Sequence, residues 1–526
     1  MMSRSLLVET VTGQTTAGLI AARDAATAVD LVELRLDGVA DIDVRGALSG
    51  RRLPVIATCR PRWEGGRFEG SEERRQAVLM EALDAGAEYV DVEWRAGFTE
   101  VVRKDPARVV LSSHDFGGVP ADLMSRAAAM RQTGASLIKV AVTPTRLSDA
   151  LPLLDIARAG DAVVIAMGDA GLPSRLLATR FGSRWTYAGD AVAPGQIPAV
   201  RMIDEFRFRT VGVDTALYGV VGNNVTHSMS PAMHNAAFDA ARLDAVYVPL
   251  RAADFDDFRT FADALAVSGV SVTIPFKLDA LEAARHADDL ARTVGAANTL
   301  RRSGLRLRSS LPIAPQGRPA TGADWEATNT DVEGFLDPLE AMYPRPLRGV
   351  RASVMGAGGA ARAVAVALLS RGARVTVHAR RRAQAIEVAA AGQAEAGAWP
   401  PAAGSWDLLV NCTPLGGPNA RVETPLPGGP FNGTLVYDLT YGDGETPLLR
   451  EAREAGCLTL DGLPMLVAQA ERQFEWWTGQ RPEPGVMKAA AYKRIGRDSR
   501  VAGPRRHGDT EISHPGRPGP SGPGAR

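Results

Sequence analysis

Val354-Met355-Gly356-Ala357-Gly358-Gly359-Ala360-Ala361-Arg362 lies between a short apolar run starting at Ala352 and an alanine-rich segment. That order predicts strand, tight turn and helix. Gly356, Gly358 and Ala361 fit G-x-G-x-x-A. The first glycine permits the turn and the second lets the backbone approach a pyrophosphate. The small third residue packs the helix against the strand, and the helix N-terminus faces the anion. Gly356, Ala357, Gly358, Gly359, Ala360 and Arg362 are therefore candidate cofactor contacts. In a chain with 54 Gly the same match also suits a plain strand–helix turn, so the flanking sequence decides.

With 526 residues the chain exceeds one core, and two to four domains are expected. Apolar residues make up 45% and charged residues 23%, ordinary proportions for a globular protein. Basic and acidic residues balance at 60 each, so no global field directs the chain to nucleic acid or to a membrane surface. Cys59, Cys412 and Cys457 are far apart and form no metal-ligand spacing. They suit a reducing, cytoplasmic setting. The N-terminal residues are too short and too polar a run for a signal peptide, and no apolar run approaches a membrane span.

Upstream, short β-branched runs recur at regular spacing. They are Leu6–Val11, Asp30–Leu36, Leu53–Cys59, Tyr89–Trp94, Arg108–Ser113, Leu137–Val142, Ala162–Met167 and Trp185–Ala188. Helical stretches such as Glu72–Ala85 and Ala121–Thr133 separate most of them. Alternating strand–helix units predict a parallel sheet, and this number closes a (β/α)8 barrel. An open doubly wound sheet is the alternative. Polar residues fall at the ends of the runs: Glu33, Arg35, Arg60, Glu64, Asp91, Glu93, His114, Arg175 and Gln196. In a barrel they would gather at the C-terminal mouth. Lys139 lies inside the sixth run. Burial should lower its pKa, and a neutral amine attacks ketones to form a Schiff base. A lysine on an outward strand face is the plainer reading. His114 on the preceding strand could move a proton beside an iminium carbon, which makes the two a constellation.

Glu33-Leu-Arg35, Thr58-Cys-Arg60 with Glu64-Gly-Gly66, Ser113-His-Asp-Phe116, Ile138-Lys-Val-Ala141, Ser174-Arg175 and Ala193-Pro-Gly-Gln196 together resemble type I 3-dehydroquinate dehydratase. The resemblance implies that Lys139 forms the imine with the substrate ketone. It further implies that His114 removes the adjacent proton and helps the hydroxyl leave as water, with Glu64 supporting His114. Arg175 would hold the substrate carboxylate, and Glu33, Arg35, Arg60 and Gln196 would bind ring hydroxyls or order the site. Val192 stands where that family usually has a serine, which removes a substrate hydrogen bond worth about 1–3 kcal/mol.

The boundary is placed at residues 210/211, in a polar, basic stretch. Beyond it come a strand at Tyr218–Val221, a Ser-rich turn with Pro231 at a helix start, and a strand, Gly269 onward, stopping at Pro275. Ser228 and Ser230 equally suit a helix cap. Arg301–Ala323, without clear period, is expected to be an inserted exposed hairpin tip or loop. Taken singly, Lys277 and Asp331 are ordinary surface residues.

Ser228-x-Ser230-Pro with His234-Asn235, Val272-Thr-Ile-Pro-Phe-Lys277, Gly295-Ala-Ala-Asn-Thr299, Asn329-Thr-Asp331, the glycine loop, Asn411-Cys-Thr413 and Asp461-Gly-Leu-Pro-Met-Leu466 with Gln469 are similar to shikimate dehydrogenase. The order of the halves resembles a bifunctional dehydroquinate dehydratase/shikimate dehydrogenase. By this resemblance Ser228 and Ser230 bind the substrate carboxylate, and Thr273, Asn298 and Gln469 contact its hydroxyls. Lys277 and Asp331 form a catalytic pair that donates a proton or holds the alkoxide. Thr413 joins the cofactor contacts. Ser271 replaces the common asparagine, so a shifted contact is expected there. After the next strand, Arg374–Val377, comes His378-Ala379-Arg380-Arg381-Arg382. A carboxylate here would bind ribose hydroxyls, whereas guanidinium groups bind a 2′-phosphate. NADP is therefore the expected cofactor, with Ala379, Arg380 and Arg381 near that phosphate and no metal.

The expected architecture is a barrel at 1–210, a substrate-binding domain at 211–335 and a Rossmann domain with closing helices at 336–496. A Gly/Pro/Arg-rich disordered tail follows at 497–526. The expected chemistry is dehydration of 3-dehydroquinate to 3-dehydroshikimate, then reduction to shikimate with NADPH. Two alternatives are a reductase half that prefers quinate and a ligand-sensing regulator that retains both folds.

Overall fold

β-branched residues dominate the first runs because each strand is buried on both faces, as a covered parallel sheet requires. The computed structural model describes residues 4–189, 194–304, 324–417, 420–442 and 444–496. The strands are β1 (Leu6–Thr12), β2 (Leu31–Arg35), β3 (Val55–Thr58), β4 (Tyr89–Glu93), β5 (Val109–Asp115), β6 (Leu137–Val142), β7 (Ala162–Ala166) and β8 (Trp185–Ala188). They form one 8-stranded sheet in the order β7-β6-β5-β4-β3-β2-β1-β8. Every pair is parallel. Val8, Ile56, Val110, Val163 and Trp185 fill the interior.

The barrel is nearly closed. Among the described residues, no continuous ladder joins β7 to β8. Instead the Arg184 N–H donates to the Ala162 carbonyl at 2.8 Å. The Val164 N–H donates to Ser183 Oγ at 3.0 Å, and that hydroxyl donates to the Trp185 carbonyl at 2.7 Å. One serine side chain thus satisfies the backbone where the ladder stops.

The second sheet has the order β10-β9-β11-β13-β14-β12. Its strands are β9 (Ala216–Gly222), β10 (Ala245–Arg251), β11 (Val267–Val272), β12 (His286–Ala287), β13 (Thr299–Arg302) and β14 (Trp325–Thr328). Two features differ from the sequence expectation. The β10 strand went unrecognised because Pro249 interrupts its apolar run. Arg301 and Arg302 are not loop residues; they belong to β13, which runs antiparallel to β14. Arg302 is buried, with its guanidinium over the Trp325 ring at 3.9 Å. A stacked guanidinium can line a strand that looks too charged to be one. Residues 305–323 lie outside the described residues, as do Val192 and the 497–526 tail.

The third sheet is all parallel, in the order β17-β16-β15-β18-β19-β20. Its strands are β15 (Arg351–Met355), β16 (Arg374–His378), β17 (Glu395–Gly397), β18 (Leu408–Asn411), β19 (Leu435–Asp438) and β20 (Leu458–Leu460). Strand order reverses beside β15, so the glycine loop after it opens at the topological switch point. Two closing helices, Leu463–Thr478 and Val486–Arg494, return to the second sheet, where Phe474 and Trp477 pack with Tyr218, Met233 and Phe238.

The barrel and the second sheet share one apolar core, in which Leu172 and Leu176 join Val246, Leu250 and Phe258. The helix Gly168–Leu176 packs against β10. Asp257, buried in the second unit, accepts the N–H groups of Leu147 at 2.9 Å and Ser148 at 2.8 Å in the barrel. It thereby satisfies the start of the short helix Ser148–Ala150 from across the junction.

Two candidate active sites

At the mouth of the barrel, strand ends converge on a cavity of about 160 Å³ lined by Glu33, Arg35, Arg60, Glu64, His114, Lys139, Arg175 and Gln196, among others. The barrel residues expected to act on substrate are thus brought together, while Asp91 and Glu93 lie behind the lining. Lys139 is buried and points inward from β6. Its Nζ lies 3.0 Å from Asp91, 3.7 Å from Glu33 and 4.3 Å from the centroid of the Tyr187 ring.

The expected fall in the lysine pKa is contradicted. Burial lowers it, but Asp91, Tyr187 and Glu33 together outweigh burial and hold the ammonium above the usual lysine range. The apolar flanks of the lysine show its burial, whereas Asp91 sits two strands away and, like Glu93, has no role in the sequence expectation. Its signal was present: Asp91 and Glu93 are two apart in an apolar strand, so both face one side.

Arg60 is buried and spanned by carboxylates, with Glu93 at 2.7 Å and Asp91 at 2.9 Å. It orders this acidic pair. Glu93 is also paired with the fully buried Arg75, which reaches in from the helix Glu72–Asp84. Glu33 accepts hydroxyl hydrogens from Thr10 and Thr58, each at 2.9 Å. Arg35 makes a two-pronged contact with Asp37 at 2.9 Å. Gln196 reaches Thr10 at 3.4 Å. Arg175 donates one bond to the Pro194 carbonyl at 3.1 Å, while its Nε has no partner among the described residues. Burial lowers its pKa to about 10.

His114 and Glu64 form a unit. One Glu64 oxygen lies 2.9 Å from His114 Nδ1 and accepts the His114 backbone N–H at 3.0 Å. Burial, with Arg60 and Lys139 nearby, holds the imidazole well below its usual pKa. Burial pushes Glu64 up to about 7 despite Arg60. A neutral imidazole beside a half-protonated carboxyl is matched to proton exchange near neutral pH.

In the second unit, Lys277 Nζ donates to Asp331 Oδ2 at 2.6 Å. Asn298 Nδ2 donates to Asp331 Oδ1 at 2.8 Å, so the carboxylate is held from both sides. Asn298 also reaches Gln469 at 3.5 Å. Ser228 Oγ accepts the Ser230 N–H at 3.2 Å, a turn contact, whereas the helix Ser230–Ala240 has no side-chain cap, so neither serine is the cap the sequence allowed. Thr273 follows β11, its methyl against Gly222. Ser271 accepts from the Tyr247 hydroxyl and donates to Gln473, both at 2.7 Å. Tyr247 and Gln473 were not singled out. Gln473 lies four residues after Gln469 on one helix, a spacing that signals a shared face; Tyr247 belongs to the unrecognised β10.

The cofactor loop has the backbone its sequence demands. Gly356 has φ 117°, and a Cβ there would lie 3.1 Å from the Cys412 carbonyl group. The helix Gly359–Ser370 starts at the loop. Thr413 donates its N–H and hydroxyl to Asn411 Oδ1 at 2.9 and 2.7 Å, which fixes the next strand end. His378 Nδ1 bonds the Ala398 carbonyl at 2.7 Å, anchoring the end of β16 below Ala379. Arg380 and Arg381 are exposed, and among the described residues no ion pair engages their guanidinium groups or that of Arg362. A positive-φ loop, a helix N-terminus and unpaired arginines after β16 fit a phosphorylated dinucleotide.

A near-closed barrel with a buried lysine and a half-buried histidine, followed by a dinucleotide-fold reductase unit, defines a fused lyase–dehydrogenase. Family models match three stretches: type I 3-dehydroquinase at residues 8–211, shikimate dehydrogenase substrate binding domain at 220–300, and shikimate 5'-dehydrogenase C-terminal domain at 462–492. The chain is 35% identical over 477 residues to the chloroplastic bifunctional 3-dehydroquinate dehydratase/shikimate dehydrogenase of Arabidopsis thaliana, covering 86% of this chain and 78% of that one. It is 39% identical over 302 residues to the NADP(+) shikimate dehydrogenase of Salinibacter ruber, covering 54% of this chain and 98% of that one. The solved shikimate dehydrogenase of Thermus thermophilus, in complex with NADP(H) and shikimate, is 32% identical over 53% of this chain and 100% of that one, with a TM-score of 0.45. The chain belongs to the bifunctional 3-dehydroquinate dehydratase/shikimate dehydrogenase family. Among the described residues, no helix is long and apolar enough to cross a membrane.

Proposed function

We propose that the barrel half converts 3-dehydroquinate to 3-dehydroshikimate and that the second half reduces this ketone to shikimate. The observation that carries the reading is the meeting of Lys139, His114 and Arg175 in one cavity. Arg175 makes no ion pair among the described residues, and its Nε, without a partner among them, favours a bidentate grip on the substrate carboxylate. Lys139, once it loses a proton, attacks the ring ketone; water leaves and a protonated imine forms. His114 takes the proton beside the imine carbon. It then returns that proton to the departing hydroxyl, which leaves as water. Hydrolysis of the imine releases the product and restores the amine. Glu64 holds the His114 ring and shares its proton load.

In the second half, Gly356, Ala357, Gly358, Gly359 and Ala360 would hold the pyrophosphate, with Thr413 at the neighbouring strand end. Arg380, assisted by Arg381 and Arg362, would hold a 2′-phosphate, which favours NADP. When bound, NADPH supplies the hydride for ketone reduction. Ser228 and Ser230 bind the substrate carboxylate, and Thr273, Asn298 and Gln469 its hydroxyls. Lys277, held by Asp331, presents an N–H to the carbonyl oxygen and gives it a proton as charge develops there. Three free cysteines suit a cytoplasmic setting.

The test has two parts. Borohydride added with 3-dehydroquinate should leave one reduced adduct on Lys139; an adduct-free Lys139 would refute the imine step. Initial rates with shikimate and NADP should exceed those with quinate; faster turnover of quinate would overturn the substrate assignment.

A further inference from the structure

Gly359 occupies the first turn of the helix after the cofactor loop, yet its nearest neighbour across the cleft is a catalytic side chain. A Cβ built on Gly359 would lie 2.8 Å from Lys277 Cδ, 3.3 Å from Cβ and 3.5 Å from Cγ. The stem of Lys277 therefore lies flat against the bare Cα of Gly359. The lysine has little room to retreat. Its backbone carbonyl accepts the Ala297 N–H at 2.8 Å, and its Nζ is bonded to Asp331 at 2.6 Å. Asp331 is in turn held by Asn298 at 2.8 Å and by its own N–H to Asn329 at 3.0 Å. Nothing in the backbone of Gly359 demands glycine, because its φ is not positive. An alanine there would keep the helix and the N–H that faces a phosphate. What it would remove is the space for the lysine stem.

We infer that Gly359 is a positioning residue for the reduction: the cofactor loop forms one wall of the slot that aims Lys277. This rests on the proposed role of Lys277. It explains why a third glycine follows the two that G-x-G-x-x-A requires. It also makes the loop a mechanical link, since whatever seats the loop also seats the proton donor.

The test is Gly359→Ala in the full-length chain, with dehydratase activity as an internal control for the fold. Reductase kcat should fall by about a hundred-fold, the cost of displacing a reacting group by an ångström. The NADPH dissociation constant should stay within about two-fold, because the loop N–H groups remain. In a Lys277→Ala background, where the stem is gone, adding Gly359→Ala should cost the residual rate no more than the about two-fold change allowed to NADPH binding. If Gly359→Ala instead lowers the melting temperature, Lys277→Ala should restore it. An unchanged kcat, a weakening of NADPH equal to the loss in kcat/KM, the same loss in the Lys277→Ala background, or an unrestored melt would each overturn the inference. Full reductase activity in Lys277→Ala alone would instead sink the site assignment beneath it.

Discussion

Asp91→Asn isolates what holds Lys139 charged. The side chain keeps its shape but loses its charge, 3.0 Å from Nζ. Burial alone would depress the lysine; Asp91, then Tyr187 and Glu33, reverse that, while Arg60 opposes them. A unit-charge pair about 4 Å apart at an effective dielectric near 20 is worth about 4 kcal/mol. That corresponds to about three pKa units, reduced to about two because Glu33 remains within reach. The sign follows from the raised value. The ion pair's contribution to folding is fully present below the unfolded lysine pKa of about 10.4 and is lost only as pH rises through the higher folded value. Asp91→Asn therefore makes the amine neutral at lower pH. The assay is single-turnover borohydride trapping of 3-dehydroquinate across pH, read as adduct mass. Its midpoint should move toward acid by about two units. A midpoint that stays put, or moves toward alkali, would refute the claim that Asp91 sets the charge. The same change leaves buried Arg60 with Glu93 as its remaining close carboxylate, so a stability loss of about 3–5 kcal/mol is expected by chemical denaturation.

Three further outcomes are expected. Glu64, pushed up to about 7, binds its proton more tightly in the folded than in the unfolded chain. It therefore erodes stability as pH rises from about 4.5 to 7, by up to about 3 kcal/mol, and Glu64→Gln should flatten stability over that window while lowering dehydratase kcat. Arg380→Ala should raise the NADPH KM by about ten-fold or more, the worth of a charge-assisted hydrogen bond, and leave weak NADH turnover unchanged; parallel KM measurements decide it. Asp257→Ala orphans the buried N–H of Leu147 and the half-buried N–H of Ser148, so a loss of about 2–4 kcal/mol is expected, measured by urea titration of both activities.

Much of the barrel was legible because a parallel strand covered on both faces writes a short, mainly apolar run, with polar residues reserved for the mouth. The second sheet was less so. There β10 contains Pro249, and β13 carries two arginines, one stacked on Trp325 and the other, Arg301, over the Trp476 ring at 4.1 Å. Local pattern cannot show a partner contributed from elsewhere in the chain. The same limit explains Lys139: its burial was readable from its flanks, but the direction of its pKa is set by Asp91, which only the closed sheet brings near. Gln473 and Tyr247 were missed for a related reason, since their connection through Ser271 joins a late helix to an early strand.

The helix Gly168–Leu176 carries Arg175 toward the dehydratase cavity while Leu172 and Leu176 belong to the core shared with β10. The reductase unit thus backs the helix that brings the buried Arg175 guanidinium to the barrel cavity. Severing the chain near residue 211 would bare an apolar wall on each half, so each half should be less stable than it is in the fused chain. The fusion is in this sense a scaffold shared by two reactions, and only secondarily a tether between them.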